Sequence, residues 1–159
     1  MTRRLLRIAV IVALAASLSA QSYDEQDLAA AFGSDVLVIE ASEHGCYRFD
    51  VFLALSQQQQ IRGLMYVRDL PDFHGMLFVY RQPRVISMWM KNTYIPLDLV
   101  FFRADGSVSS IEKNAEPLSE RSISATEPLN YVLELNGGVT DRLGIDTDSR
   151  IHLPAGSDE

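Results

Sequence analysis

Alternating apolar and polar positions recur along this chain with the period of two that is typical of β-strands. In the segment YRFDVFLALS, the apolar residues at positions 47, 49, 51, 53 and 55 would share one face of a strand. The β-branched segment 36–40 predicts a second strand, and Asp105-Gly106 predicts a tight hairpin turn. Further strands are predicted at residues 75–80, 85–91, 97–102, 108–112, 131–135 and 150–153.

Helical signals are few and short. Ser56 is followed three residues later by Gln59 in a capping-box pattern, and Gly63 suits a helix end, so residues 57–62 are predicted to form a short helix. Residues 139–144 predict one more helical turn. Many short strands with little helix predict a mainly β fold, a compact antiparallel β-sandwich or barrel with one or two short helices.

The first twenty residues have the pattern of a secretory signal peptide. Arginines at 3, 4 and 7 precede an apolar run at 8–18 that is too short to span a bilayer, and small residues follow. A retained N-terminal anchor is the alternative. We expect an exported protein, periplasmic or secreted, with no stable membrane span after cleavage. The predicted organisation is a signal peptide at 1–20, a flexible lead-in at 21–34, a single β domain at 35–154 and a tail at 155–159.

The acidic charge of the chain argues against two classes of partner. The chain has 14 basic and 21 acidic residues, a net charge of −7. Loss of residues 1–20 removes three arginines and no acid, which leaves 11 basic against 21 acidic residues and a net charge near −10. This charge opposes binding to nucleic acid and attachment to anionic lipid. The single cysteine, Cys46, cannot form an internal disulfide, so packing must stabilise the domain.

Polar side chains interrupt the apolar runs between residues 61 and 102, and they mark the candidate site. Burying such groups costs free energy unless each finds a partner. The residues concerned are Arg62, Lys91, Asn92, Thr93 and Asp98.

Two carboxylates on predicted strands, Asp98 and Glu134, need partners if their strand faces point inward. Lys91 and Arg62 are the natural candidates, and we expect Lys91 and Asp98 to belong to one polar network. The cluster is either a structural ion-pair network that sets strand register or a functional site. If Asp98 and Glu134 approach each other, they form the acid pair of a glycosidase, so a glycan-directed hydrolase is one alternative.

Trp89 is the only tryptophan of the chain. With Lys91 and Tyr94 it would form a stacking platform for a sugar or another planar ligand; the alternative is a core aromatic residue. We expect Trp89, Lys91 and Asn92 to line the principal cleft, because loops at strand ends usually display the binding surface of a β-sandwich.

Thioethers suit Cu(I), so periplasmic copper binding through methionine and histidine is a further alternative. The spacing of Met88 and Met90 with Ile86 instead favours core packing, and the chain contains no HxxxH, CxxC or calcium-loop motif. No metal site or cofactor is therefore predicted. The residues that the copper alternative would draw on are Met65, Met76, Met88, Met90, His44, His74 and His152.

Five strings of the sequence carry a resemblance to a known family: RGLM at 62–65, GMLFVY at 75–80, MWMKNTYIPLDLVFF at 88–102, DG at 105–106 and YVLELNGG at 131–138. They resemble the domain of unknown function number 192 family. The resemblance implies a compact jelly-roll-like β domain, often secreted or membrane-tethered, with no established activity. The chain departs from the family's usual Gly-Asp in the last turn, where it has Asp148-Ser149.

The leading hypothesis is a non-catalytic binding module for a small molecule, a glycan or an envelope protein. The ligand-binding candidates are Arg62, Trp89, Lys91, Asn92, Thr93, Asp98 and Glu134, and the catalytic candidates of the hydrolase alternative are Asp98 and Glu134.

Overall fold

The computed structural model describes residues 25–42 and 45–152. The predicted signal peptide at 1–20, the tail at 155–159 and His44 lie outside these residues. The helices are α1 (Glu25–Phe32), α2 (Gln57–Arg62) and α3 (Val139–Leu143). The strands are β1 (Ser34–Glu40), β2 (Cys46–Ala54), β3 (His74–Arg84), β4 (Ser87–Met88), β5 (Leu97–Phe102), β6 (Val108–Ala115), β7 (Ile123–Ser124), β8 (Leu129–Asn136) and β9 (Arg150–His152). The mainly β prediction is confirmed.

Seven of these strands form one sheet in the order β6-β5-β8-β3-β2-β1-β9, and β4 pairs with β7 in a separate ribbon. All pairs are antiparallel except β2 and β3, which run parallel. A wholly antiparallel sheet is therefore not what the chain forms. Parallel neighbours need a crossover connection, and the segment that contains α2 supplies it. This crossover brings α2 beside β3.

The sheet curls until the turn before β6 reaches β9 at the opposite edge. Ser107 forms an isolated bridge with Arg150, and the Ile151 amide donates to the Gly106 carbonyl at 2.9 Å. A Cβ at Gly106 would lie 2.5 Å from the Ile151 carbonyl oxygen, so only glycine permits this approach. The curl encloses an apolar core that includes residues of both edge strands, among them Val108 and Ile151.

A second apolar core, the outer core, covers the other face of the sheet, which is called the outer face. Helix α1 contributes Leu28 and Phe32, which are 1% and 4% exposed. The prediction of a flexible lead-in thus differs from the structure over residues 25–34, because these two side chains bury a helix against the sheet. This helix also raises the helix count of the described residues to three, above the one or two expected.

The segment predicted as a strand at 85–91 is mostly irregular. Only Ser87–Met88 form a strand, paired with β7. A turn follows at once, since the Thr93 amide donates to the Met90 carbonyl at 3.0 Å. The segment packs on the outer core, where its side chains alternate: residues 86, 88 and 90 are buried and residues 85, 87 and 89 are exposed.

No helix in the described part of the chain is long and apolar enough to cross a membrane.

Candidate functional site

A cavity of about 250 Å³ lies between α2 and the segment that follows β3. The crossover helix and its C-terminal turn supply one set of lining residues, the segment 84–93 supplies another, and β3 and β8 contribute the rest. Five of the seven sequence candidates line it: Arg62, Trp89, Lys91, Thr93 and Glu134. The remaining lining residues are Gln57, Gln60, Ile61, Gly63, Leu64, Met65, Phe78, Tyr80, Arg84, Ile86, Ser87 and Met88.

Glu134 is the buried acid of this cavity. Its side chain lies on the outer face of β8, opposite Leu99 of β5 and Met76 of β3, and the residue is only 4% exposed. Its Oε2 atom has no hydrogen-bond partner among the described residues. Removal from water disfavours the charged form of a carboxyl group, and burial raises the pKa of Glu134 to about 8. Glu134 is therefore mainly protonated at neutral pH.

Gly63 allows the backbone to pass close to that carboxyl group. Its φ of +47° lies in the left-handed region, which favours glycine. A Cβ here would lie 3.2 Å from Cζ of Phe78 and 3.9 Å from Oε2 of Glu134. A side chain at position 63 would therefore take up space beside Glu134.

Two arginines line the cavity next to aromatic rings. The Arg62 guanidinium carbon lies 5.1 Å from the centroid of the Phe32 ring, and that of Arg84 lies 5.5 Å from the centroid of the Tyr80 ring. Burial raises the pKa of Tyr80, the positive charge of Arg84 opposes that rise, and the charge of Glu134 adds to it. Tyr80 thus interacts electrostatically with both Arg84 and Glu134.

Trp89 and Lys91 form a partly exposed edge of the cavity. Trp89 is 44% exposed, and Lys91 Nζ lies 5.1 Å from its ring centroid and 3.8 Å from Oε1 of Glu120. Trp89 is therefore a rim residue with a free apolar face. Tyr94, the other aromatic residue of the predicted platform, packs against Tyr66 and Arg68 instead.

Asn92 has a structural position in the turn beside the cavity. Its φ of +56° places it in the left-handed conformation that asparagine tolerates better than most residues. Its Nδ2 donates to the Tyr66 hydroxyl at 3.0 Å, and its carbonyl accepts from the Tyr66 amide at 2.8 Å. Asn92 does not line the cavity, in contrast to the prediction.

Asp98 lies elsewhere, and its predicted network with Lys91 is wrong. Its Oδ1 accepts from the amides of Asn114 and Gly138 at 2.8 and 3.1 Å. Its Oδ2 accepts from the amide and the hydroxyl of Thr140 at 2.9 and 2.7 Å. Three backbone amides, two at the start of α3 and one in β6, and one hydroxyl group therefore supply the compensation that the sequence analysis assigned to lysine or arginine.

The strand register also separates the two candidate catalytic acids. Asp98 pairs with Leu135, whereas Glu134 pairs with Leu99. Neighbouring positions on paired strands point to opposite faces of a sheet, so Asp98 and Glu134 do not face each other. The paired-carboxylate arrangement of the hydrolase alternative is absent from this structure, and these two acids cannot act together on one glycosidic bond.

The residues of the copper alternative are also spread over the domain. Met76 and Met90 are fully buried in the outer core, His74 begins β3, and His152 on β9 pairs with Glu40 at 3.0 Å. Within the described ranges, no three His, Cys, Asp or Glu side chains form a group that could hold a metal ion.

Comparison with known proteins places the chain in a family. The DUF192 family model, described as "Uncharacterized ACR", matches residues 38–153. This chain belongs to the DUF192 family. A proposed transcription regulator from Sinorhizobium meliloti 1021 is 40% identical with a TM-score of 0.75, and the match covers 76% of this chain and 94% of that protein. A protein of unknown function from Novosphingobium aromaticivorans DSM 12444 is 35% identical with a TM-score of 0.73, covering 76% and 85% respectively. No curated protein matches this chain.

Tyr80 and Arg84 are two of the polar residues of the cavity in this DUF192 domain that the sequence analysis did not select. Tyr80 continues the alternation of Met76 and Phe78 along β3, and this alternation is the signal that would have found it. Only the pairing of β3 with β8 shows that the same face carries Glu134. In the sequence, Arg84 has the pattern of an exposed charge at a strand end. Only the fold shows that it lines the cavity beside Tyr80.

Proposed function

We propose that this protein is an exported single-domain module that binds a small ligand in the cavity beside α2. One observation carries the proposal: Glu134 is buried in the cavity wall with an oxygen that lacks a hydrogen-bond partner. Buried polar atoms of native proteins are nearly always paired, so each exception needs an explanation, such as a functional role or a bound partner. A ligand in the cavity is positioned to complete this pairing.

The composition of the walls supports the same function. Ligand sites combine apolar contact area with a few polar groups that fix orientation. Ile61, Met88 and the exposed face of Trp89 offer the apolar area, and Arg62, Arg84 and Glu134 offer the polar groups.

The size of the cavity limits the ligand. A volume of about 250 Å³ corresponds to roughly eight waters at about 30 Å³ each. A single sugar ring or a small aromatic acid fits this space, whereas an oligosaccharide would have to extend past Trp89 into solvent.

Export rests on residues 1–20, whose basic start, apolar run and small residues are typical of a cleaved signal peptide. Expression of the full chain and N-terminal sequencing of the protein from the envelope fraction tests this part. A first residue between about 18 and 24 is expected, and an intact N-terminus would contradict it.

The description of the Sinorhizobium protein as a proposed transcription regulator does not lead us to propose DNA binding here. The net charge of −7 opposes contact with phosphates.

A thermal-shift screen with small acids, sugars and aromatic compounds tests ligand binding on protein purified after expression of the full chain. A ligand that binds only the folded state raises the melting temperature by mass action. Because Trp89 is the only tryptophan and lies at the rim, its emission should change with the same ligand.

Trp89→Ala should weaken binding, and Phe73→Ala is the matched control because both residues are 44% exposed and Phe73 does not line the cavity. Binding that survives Trp89→Ala unchanged, or a screen without any binder, would contradict the proposal.

A further inference from the structure

The charges around Glu134 indicate which chemical group of a ligand the cavity accepts. Among the described residues, three basic side chains line it, Arg62, Arg84 and Lys91, and Glu134 is the one acidic lining residue. This local excess of positive charge stands in a chain whose net charge is −7, so it is not a consequence of average composition. An anionic group is therefore favoured over an amine.

Glu134 itself fits an anionic partner only in its protonated form, and its burial favours that form. A neutral carboxyl group donates one hydrogen bond, and Oε2 has no partner among the residues that the structure describes. Its pKa of about 8, raised by burial, keeps the proton in place at neutral pH.

The geometry of the charged groups selects among anions. Arginine presents a planar fork that matches a carboxylate, whereas lysine acts as a point charge. Lys91 already contacts Glu120 and Trp89. Arg84 forms no ion pair with a described residue, and its guanidinium group contacts the Tyr80 ring.

We propose that the cavity binds a small organic carboxylate, which accepts a hydrogen bond from Glu134 and pairs with Arg84 while its ring or apolar body packs against Trp89. The inference rests on the ligand-binding function proposed above. Arg62, from α2, adds positive charge to the same walls.

This arrangement predicts a pH dependence of a definite sign. Ionisation of Glu134 removes the donor and places a negative charge beside the ligand carboxylate. Affinity should therefore be level at about pH 6–7 and fall by up to about tenfold per pH unit above about pH 8. The other charged or titratable groups among the described residues that line the cavity with Glu134 are Arg62 on α2, Tyr80 and Arg84 on β3, and Lys91. The pKa of Tyr80 is raised above its usual 10, so its titration lies above this window.

Isothermal titration of protein purified after expression of the full chain tests the ligand class with named probes. Benzoate, cyclohexanecarboxylate and glucuronate carry the carboxylate. Benzamide and glucose are neutral counterparts, benzylamine is the cation, and inorganic phosphate is the alternative anion. We expect at least one carboxylate to bind at least tenfold more tightly than its neutral counterpart and than benzylamine or phosphate.

Variants then assign the roles of the residues. Arg84→Ala should weaken carboxylate binding at least tenfold, and Arg48→Ala is the control because Arg48 is an exposed arginine outside the cavity. Glu134→Gln should bind a few-fold more weakly than the wild type at pH 6.5 but hold that affinity to pH 9, since the amide donates a hydrogen bond and does not titrate. Glu134→Leu should abolish binding.

If benzylamine, phosphate or the neutral probes bind more tightly than the carboxylates, the proposed ligand class is wrong. The proposed binding function still holds in that case if Trp89→Ala weakens the binding of those probes. Carboxylate binding that is independent of pH in the wild type would overturn the role of Glu134. If neither these probes nor the screen yields any binder, both proposals fail.

Discussion

Asp98 and Glu134 are buried carboxylates on neighbouring strands of one sheet, 0% and 4% exposed, and they have opposite surroundings. Asp98 accepts four hydrogen bonds, three of them from backbone amides, beside the start of α3. Glu134 faces a cavity with one oxygen unpaired among the described residues. Burial of a charged residue type therefore does not identify a site by itself; the completeness of its hydrogen bonding separates a structural acid from a candidate ligand contact.

Removal of the Asp98 carboxylate, which accepts four hydrogen bonds, should have the largest effect on stability. Asp98→Ala leaves four donors without their acceptor, and we expect the free energy of unfolding to fall by on the order of 4 kcal/mol. Urea denaturation measures this. Asp69→Ala, at an exposed position, is the control and should change stability by less than about 0.5 kcal/mol. A loss below about 1 kcal/mol for Asp98→Ala would show that these bonds do not hold α3 to the sheet.

Replacement of Glu134, the carboxyl group with an oxygen unpaired among the described residues, by glutamine should raise the free energy of unfolding. In the unfolded chain glutamate titrates near 4.5, and in the fold burial raises the pKa of Glu134 to about 8. Between these values the folded state retains a proton that the unfolded state has released, so wild-type stability falls as pH rises from 4.5 to 8 and levels off above it.

Glu134→Gln does not titrate, so its stability relative to the wild type should increase by on the order of 3 kcal/mol between about pH 5 and pH 7.5. Denaturation at several pH values measures the difference. A difference that does not depend on pH would mean that Glu134 is ionised in the fold and would remove the contrast with Asp98.

Removal of one of the four donors to Asp98 should lower the free energy of unfolding by a smaller amount. Thr140→Val removes the hydroxyl that donates to Oδ2 at 2.7 Å and keeps the shape of this fully buried residue. We expect a loss of about 1–2 kcal/mol. The double variant with Asp98→Ala should lose less free energy of unfolding than the two single variants lose together, because both substitutions remove the same contact. Full additivity would place Thr140 outside the Asp98 cluster.

The smallest effect should come from Lys91. It is partly exposed and forms an ion pair with the exposed Glu120, so Lys91→Met should lower the free energy of unfolding by less than about 1 kcal/mol. In a double-mutant cycle with Asp98→Asn the coupling energy should lie within about 0.5 kcal/mol of zero. A larger coupling would restore the network that the sequence pattern suggested and the structure does not contain.

The candidate site was partly predictable because several of its residues are adjacent in sequence. Trp89, Lys91 and Thr93 alternate along one short segment, so three lining residues could be found together. Asn92 belongs to the same string, and its neighbours in sequence place it in the predicted cleft. Its left-handed φ and its bonds to Tyr66 show that the turn needs it instead.

The prediction that Asp98 pairs with Lys91 is wrong for a different reason. A sequence shows which side chains can carry charge, but it does not show where backbone amides will point. The amides that compensate Asp98 come from residues 16 to 42 positions away in the chain. Only the folded sheet brings them to one carboxylate.

The sequence by itself determined the mainly β class, the crossover helix with its capping box, and the segments that border the cavity. These features follow from period-two patterning, capping and turn chemistry, all of which act over a few residues. Tertiary structure alone decided the parallel pairing of β2 with β3, the face on which each carboxylate lies, and the partners of each. A shift of one residue in strand register exchanges the two faces of a sheet, and register is set by contacts between segments that lie far apart in the chain.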